Sequence, residues 1–199
     1  AKLIHKERVI RTGDCPLVAV NCAHLRSELA HSKLFGHRKG AFTGANETTV
    51  GYIGEADGGI LFLDEIHTLT LECQQDLLRV LNDGSYSRVG DTSEQYSRFQ
   101  LIVASTKNLE DEVDQGRMLL DLVSRLVGTM IELKPLRERK EAIDDLVAVH
   151  FAKSGKVVGK GALKEIADSC KKFYWQGNIR MLLQALKVLA MNAELAGEE

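Results

Sequence analysis

Two acidic residues in succession, Asp64 and Glu65, follow directly on an apolar run at residues 60–63, and two glycines precede that run. The run predicts a buried strand, and open α/β sheets form their ligand sites at the carboxyl ends of such strands. One carboxylate there suits a hard cation such as Mg²⁺, while a second can orient and polarise a water molecule. A plainer interpretation stays open at this point, in which the two acids only close an ordinary strand with a turn.

Four apolar residues followed by Asp-Glu form the Walker B pattern of enzymes that hydrolyse nucleoside triphosphates. In this pattern Asp64 holds Mg²⁺, through a coordinated water, and Glu65 orients the water that attacks the γ-phosphate. The Gly-rich phosphate loop that accompanies the pattern, with its final Gly-Lys and a Ser or Thr, occurs nowhere in the sequence. Residues 36–40 and 154–157 only approximate it.

A second segment with unusual chemistry is the hexapeptide Gly-Ala-Phe-Thr-Gly-Ala at residues 40–45, which places one aromatic residue between glycines in a polar loop. Leaving the ring of Phe42 in water costs free energy, because apolar surface is poorly solvated. Phe42 is therefore either a buried anchor of its loop or a contact for a partner.

The elements that must position these residues are indicated by short apolar runs at 17–20, 60–63, 101–104 and 129–133. The first three are continuously apolar, as strands buried on both faces of a parallel sheet must be. Helical patterns fall between them, for example at Leu77, Leu78 and Leu81. Alternation of strand and helix predicts an α/β fold, a parallel sheet flanked by helices.

Beyond Pro135 the pattern changes to three amphipathic helices without an intervening strand, over residues 143–150, 163–170 and 179–190. We therefore predict two parts, an α/β subdomain at 1–138 and a small helical subdomain at 139–199.

Composition excludes several classes of function. The chain has 199 residues, a net charge of −2 and only 6% aromatic residues, which disfavours nucleic-acid binding by this segment alone. No apolar run approaches the roughly 20 residues of a membrane span, and no signal peptide opens the chain. We expect a cytoplasmic protein that does not bind membranes.

The chain resembles the central AAA+ domain of the bacterial enhancer-binding proteins, which activate sigma-54 RNA polymerase. The matching segments are Val-Asn-Cys-Ala at 20–23, Leu-Phe-Gly-His at 34–37, the hexapeptide at 40–45, Glu-Ala-Asp-Gly-Gly at 55–59, Leu-Arg-Val-Leu at 78–81, Arg-Val-Gly at 88–90, Pro-Leu-Arg-Glu-Arg at 135–139 and Trp-Gln-Gly-Asn-Ile-Arg at 175–180. The hexapeptide is nearly exclusive to this family.

The resemblance implies a P-loop NTPase-like fold with a helical lid, assembled as a homo-oligomeric ring of six or seven subunits. Such a ring hydrolyses ATP with Mg²⁺ between subunits and remodels the closed promoter complex of the sigma-54 RNA polymerase holoenzyme. The hexapeptide would form the tip of the loop that contacts the sigma factor, with Phe42 and Thr43 central. Its six residues are Gly40, Ala41, Phe42, Thr43, Gly44 and Ala45.

The resemblance also assigns single residues. The counterpart of Asn21 hydrogen-bonds the Walker B glutamate, here Glu65, and so couples it to the nucleotide state. Arg180 matches the sensor II arginine, which reaches the nucleotide from the lid. Arg125 matches an arginine finger, which acts on the nucleotide of the neighbouring subunit.

Three positions depart from the family pattern. The first of two family arginines falls on Leu119, with Arg117 two residues earlier as a possible substitute. The sensor I residue, usually Asn, falls on Thr106, whose single hydroxyl can still bond a water or a phosphate oxygen. Lys33 stands where an acid is common.

We expect the family's first strand and its phosphate loop to lie upstream of Ala1, and DNA to be bound by a separate domain. The resemblance favours an ATP-hydrolysing activator of sigma-54 polymerase. The alternative, suggested by Leu119 and Thr106, is a nucleotide-binding assembly module with weak or no hydrolysis. A different AAA+ remodeller, such as a loader or an unfoldase, is disfavoured because such proteins lack the hexapeptide.

Overall fold

The computed structural model describes residues 1–25, 27–155 and 158–196. The contacts divide the chain into two compact units, Ala1–Thr129 and Met130–Glu199. The sequence places the division between residues 138 and 139, whereas in the structure residues 130–138 belong to the second unit. The reason is that Leu136 is fully buried in the core of the second unit. The residues next to Leu136 in the chain therefore belong to that unit as well.

A sheet of three parallel strands forms the centre of the first unit, in the order β1 (Leu17–Asn21), β2 (Ile60–Asp64) and β5 (Gln100–Val103). In the central strand β2, Ile60, Leu61 and Leu63 are buried. The first three apolar runs are thus confirmed as parallel strands, and so is the predicted α/β fold.

The fourth apolar run, residues 129–133, was expected to be a strand, and that prediction is wrong. The segment has no strand structure, and Met130, Ile131 and Leu133 are 79%, 73% and 78% exposed. An apolar run becomes a strand only where a neighbour takes up its backbone hydrogen bonds. Within the described residues the sheet ends at β5, and no strand pairs with this segment.

Helices and a hairpin complete the first unit. The helices are α1 (Lys2–Thr12), α2 (Ser27–Phe35), α3 (Gly51–Glu55), α4 (Leu71–Asp83), α5 (Leu109–Asp114) and α6 (Leu120–Leu126). The long helix α4 begins where the Thr70 hydroxyl accepts a hydrogen bond from the Cys73 amide, and it ends at Gly84, which has a φ of 86°. The antiparallel hairpin of β3 (Ser85–Ser87) and β4 (Glu94–Tyr96) follows.

Two glycines meet where α2 ends and α3 begins, at the base of the loop that carries residues 40–45. Gly36 and Gly51 have φ angles of 84° and 77°, in the left-handed region that favours glycine. A Cβ atom on Gly51 would lie 2.2 Å from the Gly36 nitrogen. Only glycine allows the two backbone segments to approach this closely.

The second unit consists of α7 (Ala142–Lys153), α8 (Lys160–Cys170) and α9 (Asn178–Ala196), which confirms the three predicted helices. Its core contains Ile143, Val147, Leu182 and Leu186. In the turn before α9, the indole nitrogen of Trp175 donates a 2.6 Å hydrogen bond to the Cys170 carbonyl. Across the described ranges, no helix combines the length and apolar character that crossing a membrane requires.

Replacing Gly51 with Ala should lower the free energy of unfolding by about 3 kcal/mol, since the new methyl group meets backbone atoms that cannot rotate away. Gly116→Ala is the matched control, because Gly116 also has a positive φ of 69° but has no atom within 4 Å of a Cβ. We expect the control to lose only about 1 kcal/mol. Urea denaturation followed by far-UV circular dichroism measures both, and equal losses would contradict the steric argument.

Candidate functional site

The acidic pair lies at the carboxyl end of the central strand, as the sequence predicts. Asp64 is the last residue of β2 and is the register partner of Asn21 on β1. Glu65 follows in the left-handed region, with φ 54° and ψ 45°. For a residue with a Cβ atom this conformation costs about 1 kcal/mol or more, and such strain is concentrated at functional sites.

The carboxylate of Glu65 is held by Thr106, which follows the end of β5. Its Oε2 atom accepts a 2.8 Å hydrogen bond from the Thr106 hydroxyl and a longer one, 3.4 Å, from the Thr106 amide. The Nδ1 atom of His67 lies 3.4 Å from the same oxygen. Thr106 and Glu65 are 41 residues apart in the chain, and the β2–β5 pairing brings them together.

Asn21 occupies the expected edge of the sheet but makes a different contact from the one that the resemblance implies. Its Oδ1 atom accepts a 2.9 Å hydrogen bond from the Ala23 amide and so caps the short helical turn Cys22–His24. Of the described side chains, those of Thr106 and His67 contact the Glu65 carboxylate, and that of Asn21 does not.

Asp64 is the residue of this edge that the sequence predicts to hold Mg²⁺, and its carboxylate lies at the end of β2. No group of three or more His, Cys, Asp or Glu residues in the described part of the chain could form a metal centre by itself. A single carboxylate nevertheless fits Mg²⁺, which takes one or two carboxylates and completes its shell with water and substrate phosphates. The neighbouring thiol of Cys22 is buried, and this burial, aided by the charge of Asp64, raises its pKa to about 12.

The hexapeptide folds into a tight loop closed by its own backbone. The Gly40 amide donates to the Ala45 carbonyl at 2.9 Å, and the Ala45 amide donates to the Phe42 carbonyl at 3.0 Å. Ala45 is buried, whereas Thr43 and Gly44 are exposed. Phe42 is half-buried against the ring of His37, with 5.0 Å between ring centroids, so its ring is partly withdrawn from water in this structure.

His37 links this loop to the rest of the first unit, a role that the sequence analysis missed. Its Nδ1 atom lies 2.8 Å from the Ser32 hydroxyl and 2.9 Å from the Thr49 hydroxyl. Its backbone forms bridges to Thr49 and Val89. His37 belongs to the Leu-Phe-Gly-His segment, so the sequence could have drawn attention to it. The hydroxyl groups that contact its ring, however, belong to residues outside that segment.

Arg117, the possible substitute for the finger missing at Leu119, is engaged within its own unit. Its guanidinium donates to both carboxylate oxygens of the buried Glu112, at 2.5 and 2.7 Å. These hydrogen bonds lower the pKa of Glu112. The buried side chain of Gln74 fixes the same segment, because it donates to the Arg117 carbonyl at 2.9 Å and accepts from the Leu119 amide at 2.9 Å.

Leu119 itself packs against the apolar core of the first unit. Arg125, six residues later on α6, is exposed and donates a 3.1 Å hydrogen bond to the Leu81 carbonyl near the end of α4. This bond satisfies a carbonyl in the last turn of a helix. The Arg125 side chain is therefore exposed to solvent, and its hydrogen bond to the Leu81 carbonyl fixes its orientation.

Arg180 lies in the second unit, in the first turn of α9. It lines a cleft together with Lys134, Arg139 and residues 177–179. The Nε atom of Arg139 is buried and makes no hydrogen bond. Three cationic side chains at a helix N-terminus make this cleft electropositive, as an anionic ligand would require.

The structure therefore brings Asn21, Asp64, Glu65 and Thr106 to one edge of the sheet. The hexapeptide and Arg125 lie elsewhere in the first unit, and Arg180 belongs to the second. The sequence analysis missed His37, His67, Gln74 and Glu112. Two of these residues had a signal in the sequence: His37 lies in the Leu-Phe-Gly-His segment, and His67 follows Asp64 by three residues.

Comparisons with known proteins agree with this architecture. The described structure is similar to that of NtrX from Brucella abortus, with a TM-score of 0.79 and 28% identity over 96% of this chain and 44% of that one. The NtrX structure in complex with ATP gives a TM-score of 0.74 at 30% identity, over 89% of this chain and 41% of that one. A RuvB variant from Thermotoga maritima shares the fold at 16% identity, with a TM-score of 0.60 over 92% of this chain and 49% of that one. The class of fold is that of the AAA+ proteins.

At the sequence level, residues 1–132 match the sigma-54 interaction domain, and the chain belongs to this family. The DNA-binding transcriptional regulator NtrC of Escherichia coli K12 is 42% identical over 191 residues, which are 94% of this chain and 40% of NtrC. The alginate biosynthesis regulator AlgB of Pseudomonas syringae is 41% identical over 173 residues, 85% of this chain and 39% of AlgB. The chain thus spans about two fifths of the length of these relatives.

The ion pair of Glu112 and Arg117 predicts how stability depends on pH. Because the folded-state pKa of Glu112 is lowered, the pair stabilises the fold above the ordinary carboxyl pKa, and this contribution is lost as the pH falls through the lowered value. Glu112→Gln should therefore destabilise the protein most near pH 7, and the difference from wild type should narrow as the pH falls below the ordinary carboxyl pKa.

Urea denaturation across this pH range measures the difference in unfolding free energy. Glu110→Gln is the control, since Glu110 lies on the same helix but is exposed. A destabilisation by Glu112→Gln that is the same at every pH would show that lost packing, not the ion pair, is responsible.

Proposed function

We propose that this chain is the motor part of a transcriptional activator that hydrolyses ATP with Mg²⁺ and uses the energy to remodel closed complexes of sigma-54 RNA polymerase. The observation that carries the proposal is the arrangement of Asp64 and Glu65 at the carboxyl end of β2. Family membership and the ATP complex of NtrX add support for a nucleotide as the ligand.

In this proposal Asp64 would hold Mg²⁺, and the bound ion would supply positive charge to offset the negative charge of the phosphoryl group. Glu65 orients and polarises the attacking water, and its fixed backbone keeps the carboxylate in place. Arg180 contributes a cation that can form paired hydrogen bonds with phosphate oxygens. Arg125, which is exposed on α6, is the finger offered to the nucleotide of a neighbouring subunit in a ring of six or seven copies.

The proposed contact with the sigma factor is made by the hexapeptide 40–45. The exposed side chain of Thr43 is available to a partner, and Phe42 offers apolar surface once its ring leaves His37. DNA would be bound by a separate domain, in keeping with the net charge of −2 of this chain. The assembly would act in the cytoplasm.

The alternative function, a nucleotide-binding module that assembles without appreciable hydrolysis, has one specific observation in its favour. The position of the first family arginine is occupied by Leu119, which packs against the core, and nearby Arg117 is paired with Glu112. An arginine finger contributes about 10³–10⁵ in rate where it has been measured, so hydrolysis with a single finger could be slow.

Glu65→Gln separates the two functions. If the protein is an ATPase, the full-length protein should hydrolyse ATP at a rate per subunit that rises with concentration as rings form. The Glu65→Gln variant should hydrolyse ATP about 10²–10⁴-fold more slowly, because the glutamine amide is a far weaker base than the glutamate carboxylate. Steady-state phosphate release measures this. Wild-type protein that binds ATP and assembles but releases no phosphate would contradict the proposal and favour the assembly module.

Thr43→Ala tests the sigma-factor contact. We expect formation of open complexes by sigma-54 polymerase to fall about tenfold, because removing a hydroxyl from a contact that a partner buries leaves the partner's polar group without a hydrogen bond, which costs about 1–3 kcal/mol. Ser169→Ala, an equal loss of a hydroxyl from the exposed face of α8, is the control. Open complexes counted on promoter DNA provide the measurement, and equal activity of the two variants would remove the hexapeptide from the proposal.

A further inference from the structure

The carboxylate of Glu65 is bonded asymmetrically. Both hydrogen bonds from Thr106 and the contact with His67 Nδ1 reach the same atom, Oε2. Within the described ranges no hydrogen bond reaches Oε1. The side chain is 23% exposed, so Oε1 remains accessible to water.

The hydrogen bonds around Ser105 determine the tautomer of His67. The Ser105 hydroxyl donates its only hydrogen to the Lys107 carbonyl at 2.8 Å and accepts from the Lys107 amide at 3.0 Å. The 3.0 Å contact between Ser105 Oγ and His67 Nδ1 must therefore be donated by the histidine. His67 Nδ1 carries a hydrogen, which it donates to Ser105 Oγ, and the same nitrogen lies 3.4 Å from Glu65 Oε2, an electrostatic contact and not a hydrogen bond.

The Thr106 hydroxyl has an equally defined role. A carboxylate only accepts hydrogen bonds, so Thr106 Oγ1 donates its hydrogen to Oε2. That hydrogen is then committed to Glu65 and is not available to a phosphate oxygen or to a water. Those two ligands are the ones that the sequence predicts for this hydroxyl.

We propose that Thr106 and His67 are positioning residues, which fix Oε2 of Glu65 so that Oε1 alone orients the attacking water. This inference rests on the proposed ATPase function. A carboxylate on a flexible side chain can present either oxygen in many directions, and fixing one oxygen at two points removes that freedom. Misplacement of a reacting group by about 1 Å can cost about 10²-fold in rate.

This assignment differs from the one that the resemblance implies, in which the counterpart of Asn21 holds the glutamate. In this chain the Asn21 side chain is used to cap its own turn. The half-buried ring of His67 lies on the short helical turn Ile66–Thr68, directly after Glu65. The same turn therefore begins with the strained glutamate and supplies one of its two supports.

Thr106→Val and Thr106→Ser test the first support. Valine has the shape of threonine without the hydroxyl, so kcat for ATP hydrolysis by the full-length protein should fall about 10- to 100-fold while KM changes by less than about threefold. Serine keeps the hydroxyl and should restore kcat to within about threefold of wild type. Thr92→Val, a change in an exposed turn, is the control for the loss of a hydroxyl.

His67→Phe and His67→Asn test the second support in the same way. Phenylalanine keeps a ring but has no donor, and kcat should fall by about tenfold. Asparagine can place an amide nitrogen near the position of Nδ1 and should recover most of that loss. Thermal unfolding of every variant shows whether the fold is retained, and the Ser and Asn variants preserve the test if Val or Phe unfolds the protein.

A double variant tests whether Thr106 acts through the Glu65 carboxylate. In the Glu65→Gln background, Thr106→Val should cause less than about twofold further loss, because the support acts only through that carboxylate. If wild type hydrolyses ATP and Glu65→Gln abolishes this, but Thr106→Val and His67→Phe leave kcat within about twofold, the positioning role is wrong and the proposed function stands. If wild type itself does not hydrolyse ATP, the proposed function fails and the positioning role fails with it.

Discussion

The parallel pairing of β2 with β5 is the constraint on which the candidate site depends. It places the end of one strand beside the end of the next, so Glu65 meets Thr106 across the sheet although 41 residues separate them in the chain. Parallel strands need long crossovers, and here α4 and the β3–β4 hairpin fill that connection. The core that buries α4 therefore also fixes the distance between the Glu65 carboxylate and Thr106. The contacts that stabilise the fold of the first unit thus also position the side chains of the candidate site.

The central strand and its acidic pair could be predicted from the sequence because their signal is local. A continuous apolar run bounded by glycines and acids reports burial on both faces of a sheet, and residues 60–65 have this pattern. The run at 129–133 has a similar composition but forms no strand. An apolar composition shows that a segment is suited to form a strand. The strand forms only where a neighbouring strand offers free hydrogen-bonding groups.

The supports of the site could not be predicted in this way because they depend on contacts between distant segments. Nothing in the sequence around Gln74 indicates that its amide satisfies backbone groups of residues 117 and 119. The tautomer of His67 follows only from the hydrogen bonds of Ser105, which become visible with coordinates. The role expected for Asn21 came from resemblance, and a local cap replaces it here. Family motifs identified the site, but the structure was needed to show which side chains support it.

One feature of the second unit has a practical consequence. Trp175 is the only tryptophan of the chain, it is 8% exposed, and its indole nitrogen is bonded to the Cys170 carbonyl between α8 and α9. Indole emission depends on solvent contact and on hydrogen bonding at that nitrogen. Tryptophan emission, excited selectively at wavelengths where tyrosine does not absorb, thus reports on the helical unit alone, and an added ligand that loosens the turn before α9 would shift this emission without any attached dye.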